Sequence, residues 1–96
     1  SVMSIDPSGR GADRTGYAVV KMLHGVLYLT DCGALEGGYS DITLERLATI
    51  AKQQDVNQVI IESNFGDGMA TALLKPVMSK IHNCSIEEVR HSKQKE

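Results

Sequence analysis

Tryptophan is absent from the 96 residues and phenylalanine occurs once. Any core must therefore be assembled from Val, Ile, Leu, Met and Ala. Cysteine is scarce: Cys32 and Cys84 stand far apart with no CxxC pair. That excludes a disulfide framework and a cysteine zinc site, and it fits reduced, cytosolic thiols that stay unpaired. No apolar run is long enough to span a bilayer, so no membrane association is expected. There is no excess of positive charge either. The formal net charge is −2, which excludes a global field drawing the chain to nucleic acid. Contact with DNA would rest on a local basic patch or on metal ions. No signal-peptide pattern precedes the first strand-like segment. The missing initial Met and the abrupt charged end at Lys93-Gln94-Lys95-Glu96 read as a piece of something longer. At this length the chain is one domain at most, near the lower end of sizes that bury a self-sufficient core.

What is present alternates between strand and helix signals. Val2 to Asp6 reads as a short, largely buried strand that stops at Pro7. Ser8 to Thr15 is a Gly-rich, charged loop. Gly16 to Leu23 is rich in β-branched residues, His24-Gly25 is a turn signal, and Val26 to Cys32 returns as the partner of an antiparallel hairpin. Gly33 to Tyr39, with three glycines, reads as a loop. Ser40 or Asp41 caps a helix to about Gln54, with Leu44, Leu47, Ala48 and Ala51 on one face. Val56 to Glu62 is a fourth strand, parallel to an earlier one through a right-handed crossover. Met69, Ala72, Leu73, Val77 and Ile81 trace a second helical face, with a kink or break expected at Pro76. Ser85 to Arg90 is a weaker fifth strand. The order β-β-β-α-β-α-β predicts a mixed α/β sheet with strands in the order 3-2-1-4-5 and helices packed on it.

In that arrangement Asp6 and Glu62 emerge at the same sheet edge, at the C-terminal ends of neighbouring parallel strands. Crevices at such ends are where open α/β sheets bind ligands. Two close carboxylates repel unless a cation lies between them. Oxygen donors without His or Cys suit Mg²⁺ or Mn²⁺, and a pair of such ions clamps the attacking and leaving oxygens of a phosphodiester. The bland alternative keeps Asp6 as a turn-former before Pro7 and Glu62 as a solvated strand end.

The loop from Asp6 to Gly16 lets backbone approach a ligand closely, and Arg10 and Arg14 are candidate phosphate contacts. It equally fits a hairpin loop with solvated charges, and it lacks the GxxxxGK[ST] pattern of a Walker A motif. Asp67, between two glycines, suits the N-cap of the following helix more than a metal-proximal role. Arg90, His91, Lys93 and Lys95 form a small basic cluster for DNA phosphates or a solvated end. His24 is a turn residue, His82 and His91 have no partner at ligand spacing, and Met22, Met69 and Met78 read as core filler.

The segments SIDPSGRGADRTGYAVV, GYSDITLERLA, VIIESNFGDGM and HNCSIEEVR run in order through nearly the whole chain. Together they resemble the C-terminal nuclease domain of the large terminase subunit of tailed bacteriophages, especially podophage-type terminases and their prophage copies. The resemblance implies an RNase H-like fold, here C-terminally truncated. It implies a Mg²⁺- or Mn²⁺-dependent endonuclease that cuts concatemeric phage DNA during packaging, in the cytoplasm of a bacterial host. Asp6 then matches the acidic residue of strand one and Glu62 that of strand four. Asp13 matches the second acidic position of the first motif, as a direct or water-mediated metal contact or as a solvated loop charge. A third carboxylate is expected beyond Glu96, so the 96 residues alone are expected to cut weakly or not at all. The implied partners are double-stranded DNA, the ATPase domain upstream, the small terminase subunit and the portal. An actin-like or sugar-kinase-like ATPase and a Holliday-junction resolvase of related topology remain open alternatives, as does a non-catalytic docking module.

Overall fold

The computed structural model describes residues 1–6, 14–36, 40–63 and 68–90. Five strands and two helices follow one another as β1 (Val2–Asp6), β2 (Arg14–Leu23), β3 (Val26–Glu36), α1 (Asp41–Gln53), β4 (Gln58–Ser63), α2 (Met69–Ile81) and β5 (Ser85–Arg90). The strands form a single sheet in the order β3-β2-β1-β4-β5. β1 pairs antiparallel with β2 and β2 with β3, whereas β1–β4 and β4–β5 are parallel. This is the mixed sheet and the strand order that the sequence predicts.

Alternation decides the faces. Met3 and Ile5 of β1, Val19 of β2 and Val59 and Ile61 of β4 are buried together with Leu44, Leu47, Ala48 and Ala51 of α1 and Leu74 and Met78 of α2. Both helices therefore lie on one face of the sheet. The residues between them in register, such as Ser4, Ala18 and Ile60, point to the other face, which no described element covers.

Several boundaries differ from expectation for identifiable reasons. β3 runs through Gly33 to Glu36 instead of entering a loop there. Gly33 pairs with Tyr17, and a Cβ on it would meet the Tyr17 ring at 3.1–3.3 Å. The tyrosine thus fills the space that glycine leaves, and the strand continues beneath it. The hairpin slips register between Val19 and Val20, leaving Thr30 as the extra residue, its hydroxyl donating to the Val19 carbonyl at 3.3 Å. The turn at His24 and Gly25 has positive φ at both residues, the twist that a tight hairpin requires. Lining this hairpin end are exposed apolar side chains, Met22 among them, so Met22 is not core filler; Met3 and Met78 are.

α1 begins as predicted. Ser40 is its N-cap, accepting from the Thr43 amide. The chain leaves α1 through Asp55 at φ 53°; Val56 is buried but its N–H bonds the Ala51 carbonyl, so β4 starts two residues later than expected.

No break occurs at Pro76: α2 is one helix of 13 residues. The bond lost there is the one to the carbonyl of Ala72, and Ala72 and Pro76 are both exposed, so water can satisfy that carbonyl. The N-cap of α2 is Gly68, not Asp67.

Candidate active site

β1 and β4 run side by side with Ser4 opposite Ile60 and Ile5 opposite Ile61. The next residues on the two strands are Asp6 and Glu62, at the same height and on the same side of the sheet. Adjacent strands lie about 5 Å apart, so the two carboxylates share one patch at the C-terminal ends of β1 and β4. That patch belongs to the face the helices leave open. Asp6 is exposed and Glu62 half-buried. Ser4, two residues before Asp6 and so on the same face, donates its hydroxyl to Glu62 Oε2 at 3.5 Å, a long and weak bond.

Beside Asp6 lies a shallow concavity of about 450 Å³, bordered by Ser4, Gly16, Ala18 and Cys32. Ser4, Ala18 and Cys32 occupy one row across three strands, and their small side chains keep the sheet surface low next to the carboxylate.

The donor chemistry fits a hard divalent cation. Two carboxylates and a hydroxyl are oxygen ligands of the type Mg²⁺ and Mn²⁺ take. Among the described residues no group of three or more His, Cys, Asp and Glu side chains is gathered as a metal site. Of the other predicted site residues, Arg10, Asp13, Asp67 and Lys93 lie outside the described residues, as does the His91–Lys95 end. Arg14 and Arg90 are seen only as strand backbone, opposite Glu36 and Ser63 respectively. His82 is structural: its Nε2 lies 2.7 Å from the Val56 carbonyl oxygen.

Residues 5–96 match the family model of the Terminase Bacteriophage T7, Ribonuclease H-like domain. The chain belongs to that family. Over 95 residues it is 50% identical to the large terminase subunit of Enterobacteria phage T3, covering 99% of this chain and 16% of that protein. The terminase chain thus spans about one sixth of the length of this relative. Solved structures show the fold. A mutant nuclease domain of the large terminase subunit gp2 of bacterial virus Sf6, with manganese and beta-thujaplicinol, superposes with a TM-score of 0.54 at 17% identity, over 94% of this chain and 36% of that one. RuvC of Thermus thermophilus gives 0.60 at 13% identity, over 91% and 59%. The PPX-GPPA enzyme of Aquifex aeolicus gives 0.56 at 12%, over 93% and 35%. The terminase chain is therefore RNase H-like, and because one fold can host unrelated functions, the reaction has to be argued from the site.

Two features escaped the sequence. Ser4 was legible in principle, because period-2 alternation puts it on the face of Asp6. Glu88 was not. It sits half-buried on the helix side of β5, opposite Ile61, where it accepts from Thr71 Oγ1 at 2.6 Å and from the Gly68 amide at 3.3 Å. Nothing in the run SIEEVR distinguishes it from Glu87, which faces the other way and accepts from Gln58 Nε2 at 3.1 Å.

Proposed function

We propose that this terminase domain is a divalent-metal-dependent endodeoxyribonuclease that cuts concatemeric viral DNA during genome packaging, with Asp6 and Glu62 as metal-holding catalytic residues. The observation that supports the reading is the parallel register of β1 and β4, in which Ile5 lies opposite Ile61, so that Asp6 and Glu62 follow as the next residues on the two strands. Two carboxylates held this close on the uncovered face repel each other, and a cation between them relieves that repulsion. Mg²⁺ or Mn²⁺ is the cofactor that this oxygen donor set suits. When bound, the cation supplies Lewis-acid stabilisation of the charge that builds on the phosphodiester oxygens.

The chain's own residues bind and orient. Asp6, exposed, offers its carboxylate from the strand end beside the concavity. Glu62, half-buried, is held by the pairing of β4 with β5, opposite Val89, one residue past the last β1–β4 pair. The small side chains of Ser4, Ala18 and Cys32 leave room for a bulky polyanion to lie on the sheet. Asp13 is a further metal contact in this reading and Asp67 a lesser one. Arg10, Arg14, Arg90 and Lys93 are the cations that meet DNA phosphates. With a net charge of −2 the domain relies on these few contacts, and affinity falls steeply with salt. The rest of the large subunit with its ATPase domain, the small terminase subunit and the portal are the partners in the bacterial cytoplasm.

Two carboxylates, or three with Asp13, undercharge a site for two divalent ions about 3.5–4 Å apart. The 96 residues alone should therefore nick supercoiled plasmid in Mn²⁺ poorly. A terminase chain extended past Glu96 should nick efficiently and lose that activity on Asp6→Asn or Glu62→Gln. Efficient nicking by the 96 residues would show that their own carboxylates suffice. An inactive longer chain would favour the non-catalytic docking module.

A further inference from the structure

We propose that Glu88 is a positioning residue that fixes the Glu62 end of β4 by serving as the N-terminal cap of α2 from a different strand. The proposal rests on the reading of Glu62 as a metal ligand. The first turn of a helix leaves amides without partners inside the helix, and an N-cap side chain usually accepts one of them. α2 has no such side chain: its N-cap is Gly68, at φ 74°, with no side-chain cap and no acidic residue in the first turn. From β5, Glu88 supplies an acidic group at this helix start and an acceptor for the N-cap residue's own amide, one of the amides the helix leaves unpaired. Oε2 accepts from the Gly68 amide at 3.3 Å and Oε1 from the Thr71 hydroxyl at 2.6 Å. Its charge also complements the positive end of the helix dipole.

The position of Glu88 gives the cap its further consequence. β5 pairs with β4 so that Ile61 lies opposite Glu88, Glu62 opposite Val89 and Ser63 opposite Arg90. Consecutive residues of β5 therefore hold the two ends of one short connection. Val89 and Arg90 hold the backbone of Glu62 and Ser63, and Glu88 holds Gly68, where α2 begins. Between Ser63 and Gly68 there are only four residues, 64–67. Through β5 itself, Glu88 at the start of α2 and Val89 opposite Glu62 are adjacent residues, so a shift at the start of α2 reaches the strand end that carries Glu62. The height of Glu62 beside Asp6 depends on that strand end.

The test compares Glu88→Gln and Thr71→Val with Ser40→Ala, which removes the cap of α1 instead. Glu88→Gln keeps shape but cannot accept two donors on two oxygens; Thr71→Val removes the short bond without changing charge. Amide chemical shifts and hydrogen exchange are followed in metal-free protein, and Mn²⁺ affinity by calorimetry. Exchange at Gly68 and at Glu62 should rise about ten-fold in both variants, as expected for losing one charge-assisted hydrogen bond. Mn²⁺ affinity should fall roughly ten-fold, as it does when an outer partner of a ligand is lost. Ser40→Ala should lower stability and leave both readouts at Glu62 unchanged. If the variants disturb Gly68 alone and Glu62 keeps its amide shifts and exchange, Glu88 is only a cap and the proposal is overturned. If the unaltered protein binds no Mn²⁺ while Glu62 still responds to Glu88→Gln, the metal reading fails and the positioning role stands.

Discussion

Cys32 is exposed and Cys84 is half-buried, both with free thiols. Burial pushes the Cys84 thiol up from its ordinary value, which lowers the fraction of reactive thiolate. Iodoacetamide at pH 8 should therefore label Cys32 first, with Cys84 following only slowly, as peptide mass spectrometry of a time course can follow; equal rates would contradict the burial of Cys84. Tyr17 is a second residue whose ionisation reports its surroundings. Burial pushes its phenol up from the usual 10.0, and the hydrogen-bonded Asp31 adds to the rise, against a smaller opposing effect of Arg46. A raised value in the folded state stabilises the fold fully below about 10, and that contribution is lost as pH climbs through the raised value. Denaturant midpoints between pH 9 and 11 should fall less for Tyr17→Phe than for the unaltered protein. The same scale shows what a sequence discloses about a site. The strand-end placement of Asp6 and Glu62 was legible because each follows an apolar stretch of strand before a glycine-containing segment. Glu88 was hidden because its role depends on an α2 cap that is missing and on a register that only the folded sheet creates.

Ser40 and Pro76 represent the two kinds of sequence signal at the scale of elements. Ser40 is a local signal, a side chain satisfying a helix amide three residues on, and it was readable. Its hydroxyl also lies 3.1 Å from that of Thr43, which in turn donates to the Glu36 carbonyl at 2.7 Å, so the cap ties α1 to the end of β3. Ser40→Ala should lower stability by about 1 kcal/mol. Pro76 is a signal that tertiary context overrides. The helix on either side of it buries Ala70, Leu74 and Met78, and that packing outweighs one lost bond on the exposed face. Pro76→Ala should consequently stabilise the protein, by up to about 3 kcal/mol, as read by urea denaturation; a loss of stability would mean that the proline fits a bend the core requires. The strand order was legible because hairpin and crossover rules leave few alternatives. The extension of β3 was not, because three glycines suggest a loop, whereas pairing with β2, the packing of Tyr17 on Gly33 and the contact of Leu35 with the core keep the strand going.

At the scale of the whole molecule the sheet is one-sided. Its helix face is a closed core, while Asp6, Glu62 and the row of Ser4, Ala18 and Cys32 share the face that no described element covers. This asymmetry separates stability from function: the residues that hold the fold and those proposed to do chemistry sit on opposite faces of the same strands, alternating along β1 and β4. Among the described residues no helix is long and apolar enough to cross a membrane. If the ends of β1 and β4 hold one divalent cation between them, as proposed, a titration of Mn²⁺ into the 96-residue protein, followed by paramagnetic broadening of its amide resonances, detects it most directly. Asp6, Glu62 and their strand neighbours should broaden first, and Asp6→Asn and Glu62→Gln should each abolish the selective broadening while leaving the fold intact. Broadening that centres elsewhere, or that survives both substitutions, would mean that the cation is not held between Asp6 and Glu62.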